Sequence, residues 1–337
     1  MAGSANTITL RRLLTQPKPE VPCKTKASKN STGQWPTVGI DAIRLWDQFN
    51  IDILNESYGH ILDLEIPVEQ LAEAPRAEDV LEGMEITKPT DILHLIGWND
   101  RVLRPTLAFA KQHLHLHTSV RLQHDVAAAD NSSFARIMDG RRPIRVDHRV
   151  ALDDFPLPHL VIGLGRSSSK FQGRLLAGHS GKTAKENLWP LRQLANLCDL
   201  AKTRYGYIVT DQDLVACCFY KTEAARSGQT AGSTEVVDWK VALMPVPWTK
   251  YGEEQLTTDL ALWWLCMLAL SAPHHRNLPT EEPSPPAYQP PSPGNPGALA
   301  AVVGINIDPI FDLGADLDGF DFDFGPDITN EGQAGSA

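Results

Sequence analysis

Apolar residues run through the middle of the chain in two rhythms. From Leu160 to Leu164 and from Gly173 to Ala177 they form short unbroken runs. From Ala184 to Thr203 they recur every three or four places, and Tyr205 to Thr210 and Leu214 to Tyr220 are short runs again. Short runs fit buried strands, and a spacing of three and four fits an amphipathic helix. The stretch from Pro158 to Tyr220 is thus expected to fold as strand, strand, helix, strand, strand. Arg192, Lys202 and Arg204 load the back half of the helix with the positive charge its dipole favours. Pro190 is expected to kink it or to mark its first turn. Thr210-Asp211-Gln212-Asp213 separates the last two runs and predicts a hairpin over Tyr205–Tyr220. Val236 to Pro245 reads as a further strand. Glu254 to Leu270, apolar nearly all round and carrying Trp263 and Trp264, reads as a buried helix.

Upstream, the pattern is mainly helical. Ile40, Ile43, Trp46, Ile53 and Leu54 follow helical spacing, Pro75 to Met84 predicts a second helix, and Pro105 suits the first turn of a third that reaches His113. A short helix is expected from Ser132 to Met138, ended by Gly140. Pro143 to Leu152 alternates, with Ile144, Val146, His148 and Val150 on one face and Arg145, Asp147 and Arg149 on the other, as a half-exposed strand does. Residues 1–36 are polar, hold four prolines and six basic residues, and read as a disordered basic arm. Residues 277–337 are Pro-rich and then alternate acids with phenylalanines, as in FDLGADLDGFDFDFGPD, and read as a disordered tail. One globular domain is expected between them at 37–276, with a helical layer at 37–142 and an α/β core at 143–272.

Charge sharpens this division. The net charge is −10. Ten of the 41 acidic residues lie beyond Arg276, where there is no Lys or Arg, so residues 1–276 hold 31 acids and 31 bases. The acidic balance belongs to the tail, and a neutral body leaves a nucleic-acid partner open. The five cysteines form no CxxC pair, and four sit within apolar runs, as fits a reducing compartment. No secretory h-region is visible, and the most apolar run, Leu260 to Ala272, is shorter than the roughly 20 residues a membrane span needs. An intracellular protein, nuclear or cytoplasmic and without a membrane partner, is expected.

Residues in the central unit carry a resemblance. The order strand, strand, long helix, hairpin strands is similar to the core of the PD-(D/E)XK, or restriction-endonuclease-like, superfamily. RQLANLCDLAKTRYGYIVTDQDLVACCFY and VPWTKYGEEQLTTDLALWWLCMLA resemble a group of uncharacterised fungal proteins with that core, over roughly Val146 to Ala272. The resemblance implies a mixed sheet flanked by helices. It also implies an Asp at the end of one strand and, on the next, an acid two residues before a Lys, which together hold Mg²⁺ and activate water. The motif is degenerate here. His159 stands where the Asp would be, GRLLAG holds no acid, and Asp238-Trp239-Lys240 has the right spelling beyond the hairpin. Asp153 and Asp154 lie near His159, and Lys182 and Glu186 lie beyond the second run. Asp154, His159, Lys182 and Glu186 are therefore the catalytic candidates. Arg166, Lys170, Lys182 and Lys185 are the candidates for a phosphate-facing side.

Three functions follow as expectations. The first is a pseudo-nuclease that binds nucleic acid or protein, with no cofactor. The second is an active Mg²⁺-dependent nuclease. The third is an interaction protein that engages a partner through residues 305–327, where the acids keep the aromatics solvated until a groove accepts them. GHSGKT at Gly178–Thr183 has Leu176 where a phosphate loop needs its first Gly. His113, His115 and His117 alternate, with His124 near, but the preceding LAFAKQ favours a helix that splays them apart, so no metal site is expected.

Overall fold

The structure, a computed structural model, describes residues 7–26, 35, 38–68, 75–114, 121–130, 132–153, 159–177, 183–223 and 237–271. In chain order, β1 (Thr7–Thr9) and α1 (Leu10–Leu14) precede β2 (Ile43–Leu45), α2 (Ile51–Leu62), β3 (Glu65–Pro67), α3 (Ala77–Leu81) and α4 (Leu93–His113). Then come β4 (Leu122–Val126), β5 (Ala135–Asp139), β6 (Arg142–Val146), β7 (His148–Leu152), β8 (His159–Gly165), α5 (Gly173–Ala177) and α6 (Thr183–Leu200). Last are β9 (Tyr205–Val209), β10 (Asp213–Glu223), β11 (Val237–Pro247) and α7 (Thr258–Leu270).

Seven strands form one mixed sheet in the order β2, β11, β10, β9, β8, β7, β4. β7 runs antiparallel to both β4 and β8, and α5 and α6 carry the chain over to β9, which lies parallel to β8. β9, β10 and β11 then continue antiparallel, and β2 lies parallel to β11. Two small sheets accompany it, β1 with β3 and β5 with β6.

The central strands are apolar on both faces because both are covered. Tyr205, Tyr207 and Val209 of β9, with Leu214, Ala216 and Cys218 of β10, join the core built with α4, α7 and the N-terminal elements. Ile208, Val215, Cys217 and Phe219 point the other way, into the core built with α6. α7 is buried along its whole length, which explains why no polar face interrupts it. Thr257 caps it by accepting the Leu260 N–H, and Asp259 sits in its first turn, where the helix dipole favours a negative charge.

Several elements depart from their sequence pattern. Gly173–Ala177, expected as a strand, is α5. A five-residue apolar run carries too little periodicity to separate the two forms. Ser132–Met138, expected as a helix, contains β5 instead, with Ala135 and Ile137 facing in and Arg136 and Met138 out. Gly140 does not end a helix. Its φ of 57° opens the two-residue turn between Asp139 and Arg142, where the first position demands a positive φ. Pro143–Leu152 is two strands broken at Asp147. Pro105 lies inside α4, and Pro190 lies inside α6.

The basic leader also departs from expectation, because several of residues 7–26 pack into the core. Leu10 and Leu14 of α1 are fully buried. Lys18 is buried with Asp259, their side chains each 1% exposed and Nζ to Oδ1 2.9 Å, and its ammonium lies over the Trp248 ring at 4.3 Å. Arg11 forks onto Asp63 and donates to Asn55 at 2.8 Å. A polar, proline-bearing leader reads as solvated only while these distant partners are unknown. The expected tail, 277–337, lies outside the described residues.

Candidate functional sites

Two polar clusters flank the strands β7 and β8, one on each face of the sheet. The first begins at Asp147, the residue at the break between β6 and β7. Its carboxylate accepts from the Gly165 backbone N–H at 3.0 Å and from Arg166 Nη1 at 3.1 Å, while Arg145 Nε stands 4.0 Å away. Arg166 also donates to Gln193 Oε1 on α6 at 2.6 Å. β7 pairs with β8 so that His148 lies opposite Gly163. Asp147 thus lies beside the end of β8, where the chain reads Leu164-Gly165-Arg166, with Leu164 buried in the α6 core.

The β5–β6 hairpin extends this cluster outward. It carries Arg136, Arg141, Arg142 and Arg145, all exposed, against one acid, Asp139. Ile137 and Val146 anchor it to the α6 core. Phe134 (40% exposed) and Met138 (55%) face solvent beside the arginines, and Arg136 and Arg145 lie over the Phe134 ring at 5.7 and 4.8 Å. On the other side of Arg166, Ser168 donates its N–H and its hydroxyl to Asp211 at 2.8 and 2.6 Å, tying together the ends of the parallel strands β8 and β9. Two residues on, burial raises the pKa of Asp213, although Thr210 donates to it at 2.7 Å.

The second cluster lies under α4. Asp100 on α4, His124 on β4 and His148 on β7 converge, with their ligand atoms within 4.8 Å of one another. Asp100 Oδ1 is 3.1 Å from His124 Nδ1 and 3.4 Å from His148 Nε2. Its other oxygen accepts from Arg104 Nε at 2.6 Å, and Arg104 also donates to the His124 carbonyl at 2.7 Å. The Tyr207 hydroxyl meets His148 Nδ1 at 2.7 Å. It reaches there across Gly163, where an added Cβ would stand 2.4 Å from the Tyr207 ring. Burial lowers the His124 pKa, although Asp100 beside it works to raise it. Burial works against ionising Asp100 as well, yet the two imidazoles outweigh it and hold the carboxyl well below its usual range. Burial raises the Tyr207 pKa well above its ordinary value, so its hydroxyl keeps its proton.

The sequence candidates fare unevenly. Arg166 lies in the first cluster. Lys170 follows it in the Ser167–Lys170 turn, its N–H bonded to the Ser167 carbonyl at 2.8 Å. His159 opens β8, at the end opposite Asp147, and burial and Arg149 lower its pKa to about 4. It does not join the cluster. Asp154 and Lys182 lie outside the described residues, as do His115, His117 and 305–327, and nothing is described of the Lys185 and Glu186 side chains on α6. Asp238-Trp239-Lys240 is on β11, three strands from β8. Sequence reasoning missed Asp147, which the alternation places on a solvent face, and Asp100 and His148, which carry no local signal.

No protein-family model matches the chain, and comparison with curated proteins gave no match. Among the described residues, no helix is long and apolar enough to cross a membrane.

Proposed function

We propose that this chain binds nucleic acid through the β5–β6 hairpin and the end of β8, on a nuclease-like core that has lost the second of its metal-holding acids. The observation that carries the reading is the hairpin. Four exposed arginines against one acid, beside exposed Phe134 and Met138, offer phosphate contacts together with an apolar surface on which bases stack. A two-stranded ribbon also has the width to enter a major groove.

The neighbouring cluster supports the loss of cleavage. In the restriction-endonuclease-like pattern an Asp lies beside an acid-x-Lys on the next strand. β7 and β8 offer Asp147 beside Leu164-Gly165-Arg166, so the Asp is kept, a buried leucine replaces the second acid, and an arginine replaces the lysine. Asp147 is neutralised by Arg166 rather than left to a cation, and a hard-cation site needs more than one carboxylate. Three antiparallel strands followed by a helical crossing to a parallel fourth support the core assignment. The test is fluorescence anisotropy of labelled duplex DNA and single-stranded RNA with the full chain, with Mg²⁺ and the integrity of the probe followed in parallel. Binding without cleavage is expected. Mg²⁺-dependent cleavage would return the nuclease reading, and absence of binding would sink the proposal.

A further inference from the structure

The polar cluster under α4 has no part in the nucleic-acid reading, and it has the composition of a metal centre. Two imidazoles and one carboxylate converge from three elements that are far apart in the chain. The separations from Asp100 Oδ1, 3.1 Å to His124 Nδ1 and 3.4 Å to His148 Nε2, match ligands on one ion. Zinc bonds of about 2.0–2.1 Å to N and O set the edge of a coordination tetrahedron at roughly 3.3 Å.

The same three atoms are buried, and although they approach closely, they form no well-aligned hydrogen bond. Buried polar atoms in folded proteins are nearly always paired. The remaining atoms of the cluster form the support a metal site requires. Arg104 holds the second Asp100 oxygen, and Tyr207 meets the far nitrogen of His148, which fixes the ring with Nε2 turned inward. Partners of this kind orient metal ligands and tune their basicity.

We infer that Asp100, His124 and His148 bind one divalent transition-metal ion, zinc being the first candidate, and so clamp α4 to the β4–β7 edge of the sheet. The donor set argues against the Mg²⁺ of the nuclease resemblance. Mg²⁺ takes oxygen ligands, whereas two imidazoles and a carboxylate suit a borderline transition metal. The site also lies on the opposite face of the sheet from Asp147, so its fate is separate from that of the nucleic-acid surface.

The full chain, stripped with a chelator and desalted, is titrated with Zn²⁺ by calorimetry and with Co²⁺ by visible absorption, and its melting is followed with and without Zn²⁺. The expected result is one ion per chain, a Co²⁺ spectrum of nitrogen and oxygen ligation, and a higher Tm with Zn²⁺. Asp100→Asn and His124→Gln are expected to abolish that binding. Tyr207→Phe, which keeps the ring and removes only the hydroxyl, is expected to weaken it about 10-fold or more. Should His124→Gln fail to fold, the Tyr207→Phe affinity decides. No uptake by the full chain, or an affinity that Tyr207→Phe and His124→Gln leave unchanged, would overturn the inference and assign any bound ion to surface histidines.

Discussion

Lys18→Met is the sharpest test of how the leader enters the core. Methionine keeps the length and apolar character of the stem and removes only the ammonium. Lys18 Nζ touches the Thr258 hydroxyl and Asp259 Oδ1, and burial pushes its pKa down, so the charge is held at a cost that only its partner offsets. Without it the Asp259 carboxylate stays buried, with the Trp98 indole N–H as donor at 3.1 and 3.3 Å. Breaking one half of a buried pair costs about 3–5 kcal/mol. At about 2–4 °C per kcal/mol for a domain of this size, the loss is about 6–20 °C in Tm. Differential scanning calorimetry of the full chain reads it. Lys18→Met/Asp259→Asn, which removes both charges, is expected to recover much of the loss, since the damage lies in the orphaned carboxylate. A single variant that melts within a degree of the parent would refute the reasoning and return the leader to solvent.

Three further outcomes follow from single sites. Gly163→Ala places a Cβ 2.4 Å from the Tyr207 ring, so it is expected to destabilise the fold by about 1–3 kcal/mol and to separate Tyr207 from His148, read by denaturant unfolding and by the imidazole resonances. His159 has a folded pKa of about 4 against 6.5 unfolded. The unfolded chain therefore takes up its proton first, and stability is lost as pH falls from 6.5 towards 4, by at most about 3 kcal/mol. His159→Gln is expected to flatten that part of the stability profile, and an unchanged profile would contradict the assignment. Burial raises the pKa of Cys198, Cys217, Cys218 and Cys266, while Cys23 is half-exposed. One of the five thiols is expected to react with a disulfide reagent in the native chain, and all five in denaturant.

The parts of the fold that were legible in the sequence are those with long, consistent periodicity. α6, the β9–β10 hairpin, β11 and α7 fall where apolar spacing places them, because their burial follows that spacing along each element. α5 and β5 were misread because five apolar or alternating residues satisfy a helix and a strand alike, and only their neighbours decide. β5 becomes a strand because β6 pairs with it residue by residue across the Gly140 turn. The leader was misread for the opposite reason. Its polar residues find partners such as Asp63 and Asp259 that no local pattern announces. The sites divide similarly. Arg166 was visible as a cation after a strand. Asp147 was not, since its partners Gly165 and Arg166 stand 18 and 19 residues away and only the pairing of β7 with β8 brings them together. Asp100, His124 and His148 lie on a helix and two strands, and only the folding of α4 onto the sheet brings them together.

The central claim, a nucleic-acid surface on the β5–β6 hairpin, is tested most directly by the salt dependence of binding. Arg141 and Arg142 sit exposed at the hairpin end, so Arg141→Ala/Arg142→Ala is expected to leave the Tm within a degree or so of the parent. If both arginines neutralise phosphates of duplex DNA, the slope of log Kobs against log salt becomes shallower by about 1.8, at about 0.9 for each contact. The account predicts that change together with weaker binding. A slope that the double variant leaves as it was would contradict it.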